Sequence, residues 1–550
     1  MIMQEPTVNG KPTDTAEGRV VAFLDIGTNS VRILIVRVFS NCTYSILTRQ
    51  KEVVRLGEGE FENDLIGEEA MDRAVVVCRN FIELARSFGT AEFIAVATSA
   101  AREARNRNLL LSRLRHEANL DVRVVSGRDE ARLIYLGVVT SIHLGERQAV
   151  FIDIGGGSTE VVVGSQHSCG HTASLPLGSI RLTNRFFPGG NDRPVSRVQY
   201  DRIRGYIRDR IAPVMPEFRD LPIDLAIGSS GTIINLAEIA AKTGTGNSGE
   251  GELTRGELTK VIALLCSLPL ADRKLVPGIN PGRGDIIICG AAILDVLMEE
   301  LSIDRIQTTS RGLQDGLLAD YLTRMADFPL IGQLSVRERS VLQLARSCGI
   351  NEHHARTVTG LAQDLFRSGR EAGLHACTDD DEELLIYATF LHDVGSFISY
   401  TNHHLHSFYL IRNSDLVGFA GRELLIMACL ARYHRKKFPK KNILGQLPLE
   451  QQDRDLLRVL SVFIRMAESL DRSHAGLVRH ARFISVTRTE AVCEITAVGE
   501  CRLELSGIEN EMDTFRRVFK RTLVPIMVTA DVRDIHERPA GGNGSPLFSG

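Results

Sequence analysis

Two stretches of this 550-residue chain align without a gap, Phe23-Leu-Asp-Ile-Gly-Thr-Asn-Ser30 and Phe151-Ile-Asp-Ile-Gly-Gly-Gly-Ser158. Phe, Asp, Ile, Gly and Ser recur at matching offsets. Each copy ends a β-rich apolar run, passes through a glycine turn and continues into another apolar run. This pattern predicts two β-hairpins with turns the size of a phosphate group. The repeat therefore predicts two related lobes.

A third glycine turn, Gly228-Ser-Ser-Gly-Thr232, lies between a predicted strand at 224–227 and a predicted helix at 233–242. In each Asp-Ile-Gly turn a carboxylate lies beside backbone N–H groups that glycine leaves uncovered, and such groups bind phosphate oxygens. One such turn is an ordinary connection, but three together indicate a phosphate site. The predicted phosphate-binding residues of the turns are Gly27, Thr28, Asn29, Ser30, Gly155, Gly156, Gly157, Ser158, Gly228, Ser229, Ser230, Gly231 and Thr232.

The rest of the chain sorts into predicted domains by its periodicity. Helical patterns at 68–87 and 109–118 with a strand at 93–97 make the first half α/β. We expect strands at 483–488, 492–498 and 502–506 and a helix at 509–523 near the C-terminus. The predicted division is a disordered tail at 1–17, lobe I at 18–137, lobe II at 138–328, an all-α domain at 329–480, a small α+β domain at 481–530 and a flexible tail at 531–550.

Composition excludes several classes of protein. Apolar residues make up 43% and charged residues 24%, as in globular proteins that bury several cores. The net charge of -3 predicts no polyanion partner by bulk electrostatics, and we expect no nucleic-acid polymer. The 10 cysteines lack CxxC spacing and indicate reduced thiols of a cytoplasmic protein. The polar N-terminus is unlike a signal peptide, and no apolar run is long enough for a membrane span.

The motifs in their order along the chain resemble the exopolyphosphatase and guanosine pentaphosphate phosphohydrolase family, within the actin-like superfold. The resemblance covers about residues 18–325. It implies two actin-like, ribonuclease H-like lobes with phosphate hydrolysis in the cleft between them. The motifs that carry it are Asp25-Ile-Gly-Thr-Asn-Ser30, Ala97-Thr-Ser-Ala-Ala-Arg102, Ser126-Gly-Arg-Asp-Glu-Ala-Arg-Leu-Ile134, Asp153-Ile-Gly-Gly-Gly-Ser-Thr-Glu160 and Gly228-Ser-Ser-Gly-Thr232.

Glu130 matches the family glutamate thought to activate the attacking water. A carboxylate can accept a proton from water that attacks a phosphorus atom held by the turns. Taken locally, Glu130 reads as a solvated acidic residue in the first turn of a capped helix. The family commonly has two adjacent glutamates here, whereas this chain has Asp129 and then Glu130.

The resemblance also implies an arginine and a metal at the phosphate. Arg102 has a planar fork suited to phosphate oxygens, although it also reads as a surface residue of an arginine-rich stretch. Asp25, Asp153 and Glu160 are the expected Mg²⁺ anchors, because Mg²⁺ prefers a few carboxylates together with waters and substrate phosphates. Glu160 alternatively reads as an outward-facing strand residue.

The predicted all-α domain contains His354, His392-Asp393 and Asp471, an order that resembles the H…HD…D metal quartet of the HD phosphohydrolase superfamily. Imidazole and carboxylate together suit a divalent transition metal or Mg²⁺. The resemblance implies a second divalent metal in an HD-like domain. A lone histidine is more often a packed or capping residue.

A basic run follows in the same domain and resembles family segments at this place in the chain. In a polyphosphate enzyme it can hold the distal chain, with an affinity that falls as salt rises. Otherwise it is a solvated charged loop. The candidate residues of this polyphosphate channel are Arg432, His434, Arg435, Lys436 and Lys437.

The function implied by the resemblance is an exopolyphosphatase that uses Mg²⁺ and acts on inorganic polyphosphate. Guanosine pentaphosphate 5'-phosphohydrolysis in the same cleft is the alternative. An actin-like kinase and a non-catalytic alarmone sensor are the competing classes. Long apolar helices in the C-terminal half leave room for a homodimer.

Overall fold

The computed structural model describes residues 18–39, 43–58, 64–244, 251–324, 334–414, 416–435 and 448–529. The chain forms two compact units, Met1–Phe328 and Pro329–Gly550, and each is described by itself. The predicted tails at 1–17 and 531–550 lie outside the described residues. Within the described ranges, no helix combines the length and apolarity that crossing a membrane requires.

The first unit begins with a five-stranded sheet. Its strands are β1 (Arg19–Ile26), β2 (Ser30–Val38), β3 (Tyr44–Val53), β4 (Glu92–Ala97) and β5 (Val122–Val124). They lie in the order β3-β2-β1-β4-β5, and β1 pairs antiparallel with β2 and parallel with β4. The central strand β1 is buried along nearly its whole length, which explains its continuous apolar sequence.

A second sheet in the same unit repeats this arrangement. Its strands are β6 (Ala149–Ile154), β7 (Thr159–Gly164), β8 (Cys169–Leu175), β9 (Leu225–Ser229), β10 (Glu252–Thr254) and β11 (Arg305–Thr308). The strands β8-β7-β6-β9-β11 have the same order along the chain, and the same parallel and antiparallel pairings, as the five strands of the first sheet. Strand β10 is added at the edge, beside β11. The predicted pair of related, actin-like lobes is confirmed.

The two Asp-Ile-Gly turns join β1 to β2 and β6 to β7, as predicted. Each turn is closed by a backbone hydrogen bond, from Gly27 N to Ser30 O at 3.0 Å and from Gly155 N to Ser158 O at 2.9 Å. Each aspartate lies one residue before the end of the central strand of its sheet, directly ahead of the tight turn. The duplication therefore brings two equivalent carboxylate turns into one unit.

Helices pack against both sheets, and each sheet has its own apolar core. In most of these helices the apolar residues recur at helical spacing and one face is buried, whereas Ile287–Glu300 is buried on all sides from Ile287 to Met298. The α-helices of the first unit are Glu68–Ser87, Ser99–Glu103, Arg107–Ala118, Gly127–Val139, Ser179–Phe186, Arg197–Ile211, Pro216–Arg219, Ser230–Lys242, Arg255–Ser267, Leu270–Arg273, Ile287–Glu300 and Leu313–Thr323, and a short 3-10 turn covers Pro281–Arg283.

The helices Gly127–Val139 and Leu313–Thr323 cross with their backbones in contact. A Cβ atom on Gly316 would overlap the carbonyl of Leu133, and one on Gly137 would overlap the carbonyl of Gly312. Glycine is required at this crossing because of close approach. The contact joins helices of the two lobes at close backbone distance.

Replacing Gly316 with alanine is expected to lower the stability of the chain by about 1–3 kcal/mol or more, because the added methyl group forces two backbones apart. The matched control is Gly205→Ala, in the middle of the helix Arg197–Ile211, where an added Cβ meets no atom within 4 Å. The control is expected to raise stability by about 0.5–1 kcal/mol. Thermal unfolding followed by circular dichroism measures both. Equal midpoints for the two variants would contradict the close crossing.

The second unit contains a helical bundle followed by a small sheet. The helices are Val336–Ser347, Glu352–Glu371, Asp379–Phe390, His403–Asn413, Gly421–Tyr433, Gln451–Leu470 and Arg502–Phe519, with a 3-10 turn at Val394–Phe397. The strands are β12 (Val478–Val486), β13 (Glu490–Ala497) and β14 (Thr522–Thr529), in the order β12-β13-β14. One apolar core, which includes Phe463 of the bundle and Phe515 beside the sheet, runs through both parts.

The C-terminal elements differ from two predictions. The predicted strand at 502–506 is the start of the helix Arg502–Phe519. Leu503 and Leu505 alternate as in a strand, but Leu503 is exposed, while Ile508 and Phe515 continue the buried stripe of a helix. The strand β14 was not predicted: the helix expected at 509–523 ends at Phe519, and Pro525 interrupts the apolar run of the strand that follows. An edge strand tolerates this proline, and β14 lies at the edge of its sheet.

Candidate active site

The two Asp-Ile-Gly turns line a single cavity of about 80 Å³ in the first unit. They face each other closely, since a Cβ atom on Gly156 would lie 3.0 Å from the Cβ atom of Thr28. The cavity combines both glycine turns with carboxylates and arginines. Its lining includes Asp25, Gly27, Thr28, Asn29, Ser30, Arg32, Ser99, Glu130, Asp153, Gly155, Gly156, Gly157, Ser158, Ser230, Gly231 and Arg283.

The third glycine turn connects β9 to the helix Ser230–Lys242 beside the second Asp-Ile-Gly turn. Ser230 lines the cavity with Gly231, and its φ of 82° lies in the left-handed region. The Ser229 hydroxyl donates a hydrogen bond to Asp153. Gly228 and Thr232 lie under this surface, where a Cβ on Gly228 would press on apolar side chains. The turn therefore supports Asp153 and contributes two of its five predicted residues to the cavity lining.

Asp25 and Asp153 occupy equivalent ends of the central strands; Asp25 is buried and Asp153 is half-buried. Burial raises the pKa of Asp25 to about 6, with the Asp153 carboxylate adding to the rise and Arg32 opposing it. Burial also raises the pKa of Asp153, against the hydrogen bond from Ser229. The Oδ1 atom of Asp25 is buried and has no hydrogen-bond partner among the described residues. An oxygen atom in this state is open to a cation, a polar group of a ligand or a water molecule.

Glu130 lies in the first turn of the helix Gly127–Val139, which Ser126 caps by accepting a hydrogen bond from the backbone of Asp129. The adjacent Asp129 is exposed, whereas Glu130 is 6% exposed and lines the cavity. Its carboxylate accepts a hydrogen bond from Arg102 at 2.7 Å. Burial raises the pKa of Glu130 to about 7, although Arg102 opposes the rise. A carboxyl group with this pKa is able to exchange a proton near neutral pH.

Glu160 lies opposite Asp153 on the neighbouring strand, in direct register. It is buried, is not among the residues that line the cavity, and accepts a hydrogen bond from Ser174 at 2.8 Å. Burial raises its pKa well above the usual value, and the carboxylates of Glu130 and Asp153 add to the rise. Glu160 thus lies behind the lining carboxylates and is electrostatically linked to them.

Two cavity arginines were not predicted. Arg32 pairs in register with Asp25 across the first hairpin, at the position that Glu160 occupies in the second copy. Arg283 follows a Pro-Gly step, and a Cβ on Gly231 would overlap its guanidinium group. Burial lowers the pKa of Arg283 to about 10, with Arg32 lowering it further. The alignment of Arg32 with Glu160 in the repeat, a basic residue opposite an acidic one, was the available signal for Arg32; nothing local indicates Arg283.

A larger cavity of about 620 Å³ adjoins the first and shares Ser158 with it. Arg102, which holds Glu130, also lines this second cavity. The residues that line the second cavity are mostly polar and include two arginines. Its described lining residues are Arg102, Glu103, Gly127, Arg128, Ser158, Gly170, His171, Thr172, Ser174, Leu175, Pro176 and Glu217.

The second lobe has a counterpart of the Glu130 helix in the helix Leu313–Thr323, where Asp315 lies in the first turn. Asp315 accepts hydrogen bonds from Arg49 at 2.6 Å and from Arg311 at 3.1 Å. Burial would raise the pKa of Asp315, but these two arginines outweigh it and hold the pKa below the usual value. Asp315 is therefore held as a structural ion-pair partner.

The candidate metal residues of the second unit lie together with one exception. One ligand atom each of His354, His392 and Asp393 lies within 4.8 Å of the others. Asp471 lies behind this group: its Oδ2 faces His354 Nδ1 at 2.7 Å and its Oδ1 accepts a hydrogen bond from Gly476 N at 2.8 Å. With both oxygens engaged, Asp471 contacts His354 only at its Nδ1 side and is not part of the group of three, and this corrects the predicted quartet.

Glu468, one helical turn earlier, takes the place expected for Asp471. Its Oε2 lies 3.3 Å from His354 Nε2 and 3.1 Å from His392 Nε2. Sequence order alone does not separate two acidic residues that are three positions apart. Glu468 lies in the last turn of the helix Gln451–Leu470, and Asp471 directly follows that helix. The direction in which each side chain points decides which of the two faces the histidines.

The basic run is also corrected in part. His434 is buried, and Arg435 donates hydrogen bonds to Glu468 at 2.8 and 3.1 Å, so neither lies free for a polyanion. Arg432 stacks on Phe408 at 5.3 Å. Lys436 and Lys437 lie outside the described residues.

Comparisons with known proteins agree with this architecture. The Ppx/GppA phosphatase family matches residues 34–325, and domain III of the Ppx/GppA phosphatases matches residues 336–499. The crystal structure of an exopolyphosphatase from Cytophaga hutchinsonii is 25% identical, covers 56% of this chain and 99% of that chain, and has a TM-score of 0.52. The crystal structure of the Ppx/GppA family member of Aquifex aeolicus is 26% identical, covers 56% of this chain and 98% of that chain, and has a TM-score of 0.46.

Proposed function

Because the chain belongs to the Ppx/GppA phosphatase family, we propose that it is an exopolyphosphatase that hydrolyses the terminal phosphate of inorganic polyphosphate. The observation that carries the proposal is that Asp25, Glu130 and Asp153 line one cavity between two glycine turns. The similarity to an exopolyphosphatase of Cytophaga hutchinsonii supports the choice of substrate. The reaction is assigned to the cleft of the first unit.

In the proposed reaction, Glu130 is the general base. A water oxygen attacks the terminal phosphorus, Glu130 accepts the water proton, and the bridging oxygen leaves with the shortened chain. A pKa of about 7 suits this task, because the carboxylate is available at neutral pH and still attracts a proton. Arg102 orients the base through its hydrogen bond and lies where phosphate oxygens of the substrate are expected.

The terminal phosphate is held by the two glycine turns and the two arginines that line the cavity. Backbone N–H groups of such turns bind phosphate oxygens without the cost of ordering a side chain. Arg32 and Arg283 add positive charge in a cavity of only about 80 Å³, where the interaction with an anion is stronger than in bulk water. This surface stabilises the charge of the transferring group rather than supplying covalent chemistry.

The carboxylates of the cavity fit Mg²⁺. All their donor atoms are oxygens, which Mg²⁺ prefers, and the unpartnered Asp25 Oδ1 is a buried acceptor open to a cation. We assign Asp25 and Asp153 as anchors, and Glu160 as a carboxylate that acts on the ion through its neighbour Asp153. When bound, Mg²⁺ neutralises phosphate oxygens.

We assign the second cavity to the distal part of a phosphate polymer. Its described lining carries Arg102 and Arg128, and the imidazole of His171 is its one ring on which a base could stack. Its volume of about 620 Å³ leaves room for several further phosphate groups. The chain of a polyphosphate therefore extends from the catalytic cavity past Arg102 into this space.

The purified chain is expected to release phosphate from long polyphosphate with a kcat/KM at least about ten-fold above that for guanosine pentaphosphate. A ratio of ten corresponds to about 1.4 kcal/mol of extra transition-state binding of the polymer. A malachite green assay with each substrate in Mg²⁺ measures it. A preference for guanosine pentaphosphate would move the assignment to the other activity of the family. Tight nucleotide binding without phosphate release would support the sensor and contradict hydrolysis.

The same assay tests the second cavity with Arg128→Gln. This change is expected to raise KM for long polyphosphate several-fold and to leave kcat unchanged, because it removes uniform binding to the distal chain. Arg115→Gln is the matched control, since Arg115 pairs with Asp121 on the surface of the same lobe. Equal KM values for the two variants would place the polymer elsewhere.

A further inference from the structure

The second unit contains four buried histidines whose side chains converge on two carboxylates. His354 and His403 lie in the first turns of their helices, whereas His392 and His434 follow the ends of theirs. All four are at most 4% exposed. The carboxylates are Asp393 and Glu468.

The Nδ1 atoms of all four rings face oxygen atoms. His392 Nδ1 lies 2.6 Å from the carbonyl of Thr389, and His434 Nδ1 lies 2.6 Å from that of Ala431. A hydrogen bond from Nδ1–H to oxygen fixes the neutral tautomer in which Nε2 carries a lone pair. Each ring is thereby prepared to offer Nε2 as a ligand.

The other two rings have the same arrangement. His403 Nδ1 lies 3.0 Å from the carbonyl of Tyr400, and His354 Nδ1 lies 2.7 Å from Asp471 Oδ2. Asp471 thus orients the ring of His354 and stabilises its tautomer. A carboxylate behind a ligating imidazole is a common arrangement at metal centres.

The four Nε2 atoms point inward and divide into two groups. His354 and His392 face Glu468 Oε2 at 3.3 and 3.1 Å, and His392 also faces Asp393 Oδ1 at 3.7 Å. His403 and His434 face the same Asp393 Oδ1 at 3.2 and 3.8 Å. Asp393 Oδ1 belongs to both groups.

Four of these inward-facing atoms have no hydrogen-bond partner among the described residues although they are buried. They are His354 Nε2, His392 Nε2, Asp393 Oδ1 and Glu468 Oε2. In addition, the Nε2 atoms of His403 and His434 lie 3.2 Å apart. With both Nδ1 atoms protonated, two lone pairs oppose each other there. When all four rings are neutral, the cluster is a set of buried acceptors without donors, and such a set indicates a bound cation.

We propose that this cluster binds two divalent transition-metal ions that share Asp393 Oδ1. His354, His392 and Glu468 complete the first site, and His403 and His434 complete the second. Two ligands on one ion, each at about 2.1 Å, lie about 3.0–3.4 Å apart in octahedral or tetrahedral geometry, and the separations of 3.1–3.8 Å are close to this range. Imidazole-rich sites favour transition metals over Mg²⁺ or Ca²⁺.

The competing explanation is a proton network in which two of the imidazoles are charged and pair with the carboxylates. It needs no ion and explains the short distances between rings and carboxylates. The two explanations differ in a measurable way, because only the first predicts stoichiometric metal. The proposal does not depend on the substrate of the first unit.

The test is a Co²⁺ titration of the full chain, stripped of metal and held in excess Mg²⁺ so that the oxygen ligands of the cleft are occupied. Visible absorption of Co²⁺ and equilibrium dialysis report ligation and stoichiometry. The wild-type chain is expected to bind two Co²⁺ ions. His434→Gln and His354→Gln are each expected to bind one, and His480→Gln, at a partly exposed histidine paired with Asp364, is expected to keep two.

Asp471→Asn distinguishes a ligand from a residue that orients one. It is expected to keep two ions and to weaken one site by about 10–100-fold, because it acts only through His354. A wild-type chain that binds fewer than two ions overturns the proposal whether or not the variants fold. Two ions retained by His434→Gln, with native circular dichroism, overturn it as well.

Discussion

Glu130→Gln is expected to lower kcat for phosphate release from polyphosphate by about 10²–10⁴-fold, the usual contribution of a general base. Glutamine has nearly the same shape and can still accept a hydrogen bond from Arg102, but it cannot take a proton from water. Substrate affinity is therefore expected to stay within a few-fold of the wild type. Steady-state kinetics together with polyphosphate binding measured by filter retention separate the two effects.

The role of Glu130 as a base also predicts the direction in which kcat/KM changes with pH. The base must be deprotonated, and its pKa is raised to about 7 by burial, so the wild-type kcat/KM is expected to rise with pH up to about 7 and then to level. The residual activity of Glu130→Gln should lack this rising limb. Asp129→Asn is the matched control, since Asp129 is the exposed carboxylate next to Glu130. Equal losses in the two variants, or an unchanged limb in Glu130→Gln, would remove Glu130 from the mechanism.

Asp153→Asn is expected to lower kcat/KM by about 10³-fold at limiting Mg²⁺ and to raise the Mg²⁺ concentration needed for half-maximal activity. Asparagine keeps the size of the side chain and can still accept the hydrogen bond from Ser229, but it lacks the charge that attracts a divalent ion. At about 1.4 kcal/mol for each factor of ten, this loss corresponds to about 4 kcal/mol of transition-state stabilisation. A Mg²⁺ titration of the phosphate-release rate measures both changes.

The control for this variant is Asp224→Asn, an exposed aspartate of the same lobe at the other end of the sheet, which is expected to behave as wild type. Partial recovery of Asp153→Asn at high Mg²⁺ is also expected, because Asp25 remains. Loss of activity with an unchanged Mg²⁺ requirement would show that Asp153 acts on the phosphate or the fold and not on the ion.

The features that were predictable from sequence are those with local or repeated signals. The Asp-Ile-Gly repeat predicted both lobes, because a hairpin with a tight glycine turn is specified within eight residues. The helix Glu68–Ser87 was predicted at its observed bounds from the spacing of its apolar residues. Glu130 was distinguished from Asp129 by the family motif, and the structure separates the two by burial.

The remaining features depend on tertiary contacts that the sequence does not display. Arg283 reaches the cavity from a turn far along the chain, and only the close approach to Gly231 reveals it. Glu468 and Asp471 differ in which side of a helix end they occupy. Arg435 reads as part of a basic run, but in the folded chain it pairs with Glu468.

The corresponding helices Gly127–Val139 and Leu313–Thr323 differ in the charge state of their first-turn acidic residue, and this difference makes the two sides of the cleft unequal. Both lobes present an acidic residue in the first turn of corresponding helices, yet Asp315 is neutralised by Arg49 and Arg311, while Glu130 keeps a pKa near 7. Under the proposed mechanism, a phosphate between the lobes is open to attack only from the Glu130 side. The internal pseudo-twofold symmetry of the scaffold is thereby broken, and a linear polymer has one productive direction of entry.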